Sequence, residues 1–495
     1  MSAHDPLLQP DPELHATARK VVTRIGADRA PAPNAIAIHD PHDGSTIGFT
    51  PDRDIDQALE AVTRADTAGR SWAATSPRYR ADILRRWYDR IVDNADDIAL
   101  LITLEMGKTL ADARAEVAYG ADFVRWYAEE ITHQTGTVRE APSGGARLLT
   151  RRAPVGLAVL ITPWNFPLAM ATRKIAPALA AGCPAVVKPA ALTPLTTLFA
   201  VQLAVEAGVP EDLVQVVTTS DASAFSAAVL SDPRVRKVSF TGSTPVGKIL
   251  LRLAADNVLR TSMELGGNAP FLVFDDADLE RAVEGAFVAK MRNGGQSCIA
   301  ANRFLVQNGI AEAFVEGLTE RLASLPTGSG LAPGVGLGPM VDHRAVHRLQ
   351  GLVDDAVERG ATLHTPDPAI DGPGSYFGAT LLDHVPADAE VATTEIFGPI
   401  ASVQRFSTQD EALAKANDTE FGLAGYVFTE SLDRAFDVAD NLATGILGIN
   451  QGLPSNAAAP FGGIKESGLG REGSAEGLEE YQELRFYNLA LRSTS

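Results

Sequence analysis

Cys298 is the residue whose setting most clearly indicates chemistry. Residues 292–298 form a polar stretch that contains Gly294 and Gly295, and glycines leave the backbone open to the close approach of a ligand. A thiol in such a stretch has no packing role, although free cysteines are usually buried. The other cysteine, Cys183, lies in an apolar run before a predicted strand, where an inert buried thiol is expected. Cys298 is therefore the candidate nucleophile, and burial in a core is the alternative.

Two more side chains would complete a reaction at a carbonyl group. Asn165 follows an apolar run at residues 157–161, and its amide is a neutral donor suited to an oxyanion. The alternative for Asn165 is a turn residue. Glu264 lies between apolar residues and glycines, where loss of solvent would raise its pKa toward the range of a general base. The alternative for Glu264 is a glutamate that closes a helix or loop.

Residues 240–248 have the pattern of a strand, a glycine-bearing turn and the start of a helix. Backbone N–H groups and the helix dipole at such a turn favour an anion, so a phosphate group is expected nearby. Two glycines five apart followed by Lys248 match the first part of the P-loop pattern. Ile249, however, occupies the place of the residue that binds magnesium, which disfavours a nucleoside triphosphatase. Lys188, at the end of another predicted strand, would reach a ribose hydroxyl or a phosphate, and a solvated lysine is the alternative.

One histidine pair raises the question of a metal site. His343 and His347 have the i, i+4 spacing of a helical metal pair, but Arg344 stands where a metalloprotease carries glutamate. We therefore expect a solvated helix face there and no bound metal.

The secondary structure predicted to position these residues differs between the first part of the chain and the part after residue 156. Residues 54–134 carry apolar residues at three- and four-residue spacing, which predicts helices. From residue 156 short apolar runs alternate with helical ones, which predicts a parallel sheet covered on both faces, with ligands at the carboxyl ends of its strands. The runs expected there are strands at 157–161, 185–187, 214–217 and 235–240 and helices at 172–181, 194–207, 222–230 and 245–255.

A second mixed region begins near residue 267, and a helix predicted at 279–291 ends just before Cys298. Short strand-like runs at 137–152 and 481–491 lie outside both patterns. A terminal strand with free backbone groups is suited to pairing with another subunit.

Composition and charge narrow the class of protein. The chain has 495 residues, of which 45% are hydrophobic and 21% charged, and this indicates a globular protein of more than one domain. No signal peptide or membrane span is expected, and two cysteines make no disulfide framework, so the expected compartment is a reducing cytoplasm. The net charge of −19 disfavours nucleic acid and anionic membrane as partners. An anionic substrate would need locally concentrated arginines.

Taken together, these residues resemble the aldehyde dehydrogenase superfamily, most closely its succinate-semialdehyde dehydrogenases. The resemblance extends over most of the chain in order and spacing. Its motifs are Pro163-Trp164-Asn165-Phe166-Pro167, Lys188-Pro189, Phe240-Thr241-Gly242-Ser243, Glu264-Leu265-Gly266-Gly267, Gly295-Gln296-Ser297-Cys298, Glu395-Ile396-Phe397-Gly398-Pro399 and Pro460-Phe461-Gly462-Gly463.

The resemblance implies an α/β fold in three parts. These are a Rossmann-like cofactor-binding domain (residues 1–133 and 155–266), an α/β catalytic domain (267–466) and a small β oligomerisation element with a C-terminal tail (134–154 and 467–495). A homodimer or homotetramer is expected.

The resemblance also implies a reaction. Cys298 attacks the aldehyde carbon, and the oxyanion is held by the Asn165 amide and the Cys298 N–H. Hydride passes to nicotinamide, and Glu264 activates the water that hydrolyses the thioester. Lys174 is placed among the catalytic residues. The residues expected to bind NADP or NAD are Trp164, Asn165, Lys188, Ala191, Thr241, Gly242, Ser243, Leu265, Glu395 and Phe397.

Two features bear on the choice of cofactor and substrate. Ala191 stands where NAD-preferring relatives often carry the glutamate that holds the ribose diol, so NADP is expected to be accepted. Arg173, Arg292 and Ser455 match residues that bind the distal carboxylate in succinate-semialdehyde dehydrogenases. The alternatives are a solvated charge beside Lys174 for Arg173 and a cation at a helix C-terminus for Arg292.

The resulting prediction is an enzyme that oxidises succinate semialdehyde to succinate at the end of 4-aminobutyrate breakdown. One alternative is a dehydrogenase for glutarate semialdehyde or another aldehyde, and another is a non-catalytic structural or binding protein on this fold. Ala300 stands where some relatives carry a second cysteine, so no redox disulfide is expected beside Cys298.

Overall fold

The computed structural model describes residues 7–29, 34–365, 368, 370 and 372–491. Its helices, α1 to α16 in chain order, span Pro12–Arg24, Ile55–Ala73, Pro77–Asp93, Ala95–Met106, Leu110–Glu130, Ala169–Ala181, Leu195–Glu206, Ala222–Leu230, Thr244–Asp256, Leu279–Met291, Ala311–Ala323, His343–Glu358, Glu390–Thr393, Gln409–Asn417, Leu432–Asn441 and Ser474–Glu479. Its strands, β1 to β18 in chain order, span Ala35–His39, Thr46–Pro51, Val138–Glu140, Ala146–Pro154, Leu157–Ile161, Ala185–Lys188, Val214–Val216, Val235–Thr241, Arg260–Glu264, Ala269–Val273, Ala301–Gln307, Thr362–Leu363, Thr380–Asp383, Ile400–Phe406, Ala424–Phe428, Ile446–Ile449, Gly468–Leu469 and Gln482–Ala490.

A six-stranded sheet in the order β17-β9-β8-β5-β6-β7 contains the strands expected after residue 156. Its strands are parallel except β17, which runs antiparallel to β9. Every residue of β5 is buried because helices cover both faces of the sheet, as its unbroken apolar run predicts. The α/β fold expected from the sequence is confirmed.

A seven-stranded sheet in the order β12-β13-β14-β11-β10-β15-β16 forms the second large layer. It is parallel except for the short β12. Phe271 of β10 stacks on Phe428 of β15 with ring centroids 4.8 Å apart and also contacts Phe304 of β11. These aromatic contacts hold together the strands that flank the loop leading to Cys298.

A separate antiparallel sheet in the order β18-β4-β3 accounts for the two strand-like runs outside the main patterns. β18 pairs along its whole length with β4, and its other edge carries no strand in the described part of the chain. Leu484, Phe486 and Leu489 of β18 are exposed. The short β17 joins the six-stranded sheet, although the predicted boundaries place it in the oligomerisation element, and those boundaries stay a prediction.

Two central helices receive their N-terminal caps from buried glutamates far away in the sequence. Glu105 accepts hydrogen bonds from the N–H groups of Leu195 (2.8 Å) and Thr196 (2.9 Å) at the start of α7. Glu116 does the same for Leu168 (2.8 Å) and Ala169 (3.2 Å) at the start of α6. A carboxylate near a helix N-terminus satisfies free N–H groups and interacts favourably with the helix dipole. The sequence pattern placed the start of α6 three residues too late, because the residue that caps this helix, Glu116, is far from it in the sequence.

None of the described helices is long and apolar enough to cross a membrane.

Candidate active site

A cavity of about 570 Å³ lies at the carboxyl ends of β5, β8 and β9. This is the edge at which open α/β sheets bind ligands. The predicted site residues that line it are Trp164, Asn165, Thr241, Gly242, Ser243, Leu265, Cys298, Glu395 and Phe397. The fold thus brings together residues that lie more than 200 positions apart in the sequence.

The turn after β8 presents the start of α9 to this cavity. Ser243 precedes the helix with extended backbone. A Cβ on Gly242 would lie 2.4 Å from the tip of the Phe240 ring, so a larger residue there would require that ring to move. Lys248 extends to the surface, where its ammonium lies 2.7 Å from Glu466. This position of Lys248 agrees with an anion site that is not a P-loop.

Two residues predicted to bind the cofactor, Lys188 and Ala191, are not among the described residues that line the cavity. Lys188 Nζ donates to the Pro189 carbonyl oxygen (3.3 Å), and burial lowers the pKa of its ammonium group. Leu192, the neighbour of Ala191, does contribute to the wall. Lys188 and Ala191 therefore lie next to the cavity, beyond its wall.

Sequence reasoning missed seven residues of the wall, namely Met170, Leu192, Val341, Asp342, Arg344, Ala345 and Arg348. Arg348 donates to the main-chain oxygens of Glu395 (3.1 Å) and Ile396. Arg344 and Arg348 lie one turn apart on α12, so helical spacing was the only available signal. His343 and His347 are exposed on this helix, and within the described ranges no group of three or more acidic, histidine or cysteine residues could hold a metal ion.

Glu395 and Phe397 form a constrained corner of the cavity. Glu395 accepts a hydrogen bond from the Gly267 N–H (3.2 Å), and burial raises the pKa of its carboxyl to about 7. Phe397 has a φ of 51°, in the left-handed region that non-glycine residues seldom occupy. Its ring meets the Trp164 ring edge to face at 5.2 Å, a contact that joins the two sides of the cavity.

Cys298 follows a tight loop that is more buried than its polar sequence suggested. Asn293, Gly294 and Gly295 have φ values of 59°, 60° and 73°. The Asn293 side chain donates to the main-chain oxygens of Asn165 (3.1 Å) and Gln296 (2.8 Å), which stabilises this rare conformation. The expectation that the thiol has no packing role is wrong, because Cys298 packs against the core around the seven-stranded sheet while one side faces the cavity.

The thiol of Cys298 is protonated at neutral pH. Burial raises its pKa to about 12, and the nearby Glu395 carboxylate adds to this effect. Arg173 opposes the shift only in part. Because the thiolate is the nucleophilic form, the predicted attack by Cys298 would require a proton acceptor.

Asn165 is held from its main-chain side. Its carbonyl oxygen accepts from Lys108 Nζ (2.8 Å) and Asn293 Nδ2 (3.1 Å). Its side-chain Nδ2 donates to the Gln296 carbonyl oxygen (3.1 Å), and an amide nitrogen has a second N–H. The role of that second N–H as a neutral donor to an oxyanion stays a prediction.

Glu264, the last residue of β9, lies in a buried cluster of charges. Both carboxylate oxygens lack a hydrogen-bond partner among the residues described, and burial raises the pKa of the carboxyl well above its usual value, with Glu472 adding to the effect. Glu472 pairs with Lys174 and lies 2.5 Å from Arg173 Nε. Burial opposes ionisation of Glu472, but Arg173 and Lys174 outweigh it and lower its pKa.

This cluster excludes one alternative for Arg173 and contains Glu472, which the sequence analysis did not identify. Arg173 and Lys174 are both fully buried, so the alternative in which Arg173 is a solvated charge beside Lys174 is wrong. Glu472 was missed because nothing in its local sequence distinguishes it from a surface glutamate. Its partner Lys174 is 298 residues away.

The three residues predicted to bind a distal carboxylate have different surroundings. Arg292 lies between two aromatic rings, 5.3 Å from the centre of Tyr119 and 5.1 Å from that of Phe166. The Ser455 hydroxyl is hydrogen-bonded to the Tyr119 hydroxyl. Arg173 has its Nε edge against Glu472, whereas Arg292 makes no ion pair with any residue that the structure describes.

Comparison with known proteins agrees with this geometry. Residues 29–487 match the aldehyde dehydrogenase family. The chain is 50% identical to succinate-semialdehyde dehydrogenase of Paenarthrobacter nicotinovorans over 90% of its own length and 98% of that protein. It is 46% identical to glutarate-semialdehyde dehydrogenase of Pseudomonas aeruginosa, over 91% and 93% of the two chains. The crystal structure of an Escherichia coli NADP-dependent enzyme superimposes with a TM-score of 0.91 at 46% identity, over 92% and 95% of the two chains. The chain therefore belongs to the aldehyde dehydrogenase family, whose members are NAD(P)-dependent oxidoreductases that act on aldehydes.

Proposed function

We propose that this chain oxidises succinate semialdehyde to succinate, with NADP⁺ or NAD⁺ as hydride acceptor. The observation that carries the proposal is Arg292, a half-buried cation six residues before Cys298 that has no acidic partner in the described part of a chain with net charge −19. A guanidinium in this position would bind the distal carboxylate of a short aldehyde. Ser455 and Arg173 would supply further donors. The higher identity to the succinate-semialdehyde dehydrogenase supports the shorter substrate.

The cavity fits a nicotinamide dinucleotide. The start of α9 would hold a phosphate, and Thr241 Oγ1 is buried without a hydrogen-bond partner in the described structure. Glu395 would accept from ribose hydroxyl groups, and Trp164, Leu265 and Phe397 would supply apolar contacts. When bound there, the cofactor supplies the hydride acceptor. Ala191 leaves room for a 2′-phosphate, which supports use of NADP.

The chain's own residues would carry the remaining steps. Cys298 would lose its proton to water in the cavity, and its sulfur would form a bond to the aldehyde carbon. The Asn165 amide and the Cys298 N–H hold the resulting oxyanion. Loss of hydride from that carbon restores the carbonyl group and leaves a thioester on Cys298. Glu264 then takes a proton from water, which attacks the thioester and releases succinate and the thiolate.

Lys174 would be a positioning residue in this scheme. Its ammonium pairs with Glu472 and donates to Ser239 Oγ (3.0 Å), so it holds charge next to Glu264 without facing the aldehyde. The family resemblance that placed Lys174 among the catalytic residues is consistent with this supporting role.

The wider predictions also have structural support. The free edge of β18 and its exposed Leu484 and Phe486 support a homodimer or homotetramer built through the three-stranded sheet. The six- and seven-stranded sheets support the proposed division into cofactor-binding and catalytic domains. Both cysteines are free thiols, which supports a reducing cytoplasm.

A panel of aldehydes tests the proposal. Succinate semialdehyde, glutarate semialdehyde and butanal would each be assayed with NADP⁺ and NAD⁺ for appearance of the reduced cofactor. We expect the highest kcat/KM for succinate semialdehyde, and Arg292→Ala should lower it by roughly 10²-fold while oxidation of butanal changes little. Arg321→Ala, which removes another half-buried arginine that lies on an aromatic ring, is the matched control.

Each other outcome selects an alternative. A preference for glutarate semialdehyde would assign the longer substrate. Equal loss of all three activities in Arg292→Ala would exclude a role in carboxylate binding. No reduced cofactor with any aldehyde would support a non-catalytic protein.

A further inference from the structure

Two neighbouring aromatic residues of α5 lie under the two arginines of the proposed substrate site. Tyr119 and Phe123 are one helical turn apart, with ring centroids 4.9 Å from each other in an edge-to-face contact. Arg292 lies over Tyr119 at 5.3 Å, and Arg173 lies over Phe123 at 5.7 Å. A single helix face therefore supports both cations.

Each arginine has a second ring on another side. Phe166 lies 5.1 Å from the Arg292 guanidinium, and Phe461 lies 4.3 Å from that of Arg173. Cation–π contacts of this kind hold a guanidinium by its faces and leave its N–H edges available. The two arginines still differ, because Glu472 already occupies one edge of Arg173.

Tyr119 has a second contact that Phe123 cannot make. Its hydroxyl is hydrogen-bonded to the hydroxyl of Ser455, 336 residues away. Tyr119 therefore contacts both Arg292 and Ser455, and it belongs to no motif in the sequence.

We propose that Tyr119 is a specificity-determining residue that positions Arg292 and Ser455 as one carboxylate-binding unit. This inference rests on the proposed function, because it requires a substrate with a distal carboxylate. Tyr119 donates its hydroxyl hydrogen to Ser455 Oγ, so the Ser455 hydroxyl directs its own hydrogen at the carboxylate. The ring meanwhile holds the Arg292 guanidinium in place.

The opposite hydrogen-bond direction would turn a lone pair of Ser455 toward the carboxylate, which repels it. Binding of the anion therefore selects the direction in which Tyr119 is the donor. Removing only the Tyr119 hydroxyl should leave Ser455 without this orientation while the ring still supports Arg292.

Tyr119→Phe tests the hydroxyl, and Tyr119→Leu tests the ring as well. We expect Tyr119→Phe to raise KM for succinate semialdehyde roughly fivefold to tenfold with little change in kcat, and Tyr119→Leu to raise it further. KM for butanal and for NADP⁺ should change little in both variants. Tyr88→Phe is the matched control, because Tyr88 is half-buried and its ring also lies against arginines, Arg85 and Arg125.

A double-mutant cycle distinguishes positioning from general damage. If Tyr119 acts through Ser455, the double variant Tyr119→Phe/Ser455→Ala should raise KM no more than Ser455→Ala alone. Additive effects, or equal changes for butanal, would overturn the inference. If the wild-type enzyme itself shows no preference for carboxylated aldehydes, the proposed function fails. If that preference is present but Tyr119→Phe leaves it unchanged, only the inference about Tyr119 fails.

Discussion

Lys108 and Glu116 form a buried ion pair, 2.6 Å apart, whose members hold both ends of the segment that begins at Asn165. Lys108 donates to the Asn165 carbonyl oxygen, and Glu116 caps α6 at Leu168 and Ala169. Lys108 also lies 4.1 Å from the centre of the Phe166 ring. The proposed oxyanion donor, Asn165, and one aromatic support of Arg292 therefore depend on the same pair.

We expect Glu116→Gln to impair both stability and catalysis. Loss of one partner leaves Lys108 buried without its counter-charge, which typically costs about 3–5 kcal/mol in the free energy of unfolding. Complete loss of an oxyanion donor usually lowers kcat roughly 10²-fold. Displacement of the Asn165 amide should therefore lower kcat by about tenfold or more. Thermal unfolding and kcat at saturating substrates measure the two effects.

Glu129→Gln on the same helix is the control, because the pair of Glu129 with Arg85 is exposed and should contribute little to stability. Equal effects of the two substitutions on kcat would contradict the role of Glu116.

The reactivity of Cys298 should rise steeply with pH. Its pKa is raised to about 12, so the fraction of thiolate in the free enzyme increases about tenfold per pH unit below that value. The rate constant for alkylation by iodoacetamide should therefore climb from pH 7 to pH 10 without a plateau. Cys298→Ser identifies the labelled residue by mass spectrometry. A plateau with a midpoint below pH 8 would show that the free enzyme already holds a thiolate.

Glu264→Gln should separate thioester formation from thioester hydrolysis. The amide has nearly the same shape but cannot take a proton from water, so steady-state turnover should fall roughly 10²- to 10⁴-fold. The acyl group should then accumulate on Cys298, where intact-mass measurement after mixing with aldehyde and NADP⁺ would detect it. Glu466→Gln, at the surface, serves for comparison. Unchanged turnover without an acyl-enzyme would remove Glu264 from the mechanism.

Ala191→Glu should shift cofactor use from NADP⁺ toward NAD⁺. A carboxylate at this position would repel the 2′-phosphate and would accept hydrogen bonds from a free ribose diol, so KM for NADP⁺ should rise roughly tenfold or more while KM for NAD⁺ does not. Ala191→Gln has a similar size without the charge and should change the ratio of the two constants far less. An unchanged ratio in Ala191→Glu would place the adenosine ribose elsewhere.

Much of this architecture is visible in local sequence. The helices Ala222–Leu230 and Leu279–Met291 have the bounds that their apolar spacing predicts, and β5 is buried on both faces as its continuous apolar run requires. The motif around Asn165 follows a predicted strand, so its position at the ligand-binding edge follows from the predicted topology. The strand that ends at Glu264 was not predicted.

Other features depend on partners that no local pattern specifies. Nothing in the local sequence around Glu472, Tyr119 or Lys108 distinguishes these residues, yet each contacts a predicted site residue in the folded protein. The start of α6 also depends on a distant partner, because Glu116 caps it from 52 residues away.

The difference arises because secondary-structure patterns depend on residues close together in the sequence, whereas buried contacts join residues that are far apart in it. Periodicity, turns and glycine positions are set by neighbours within a few residues, so they fix the elements and the residue types at their ends. The partner of a buried charge is set by which elements pack together and by the cost of leaving that charge without a counter-ion. Cys298 was therefore identifiable from its surroundings in sequence, whereas its raised pKa and the aromatic support of Arg292 arise only in the folded protein.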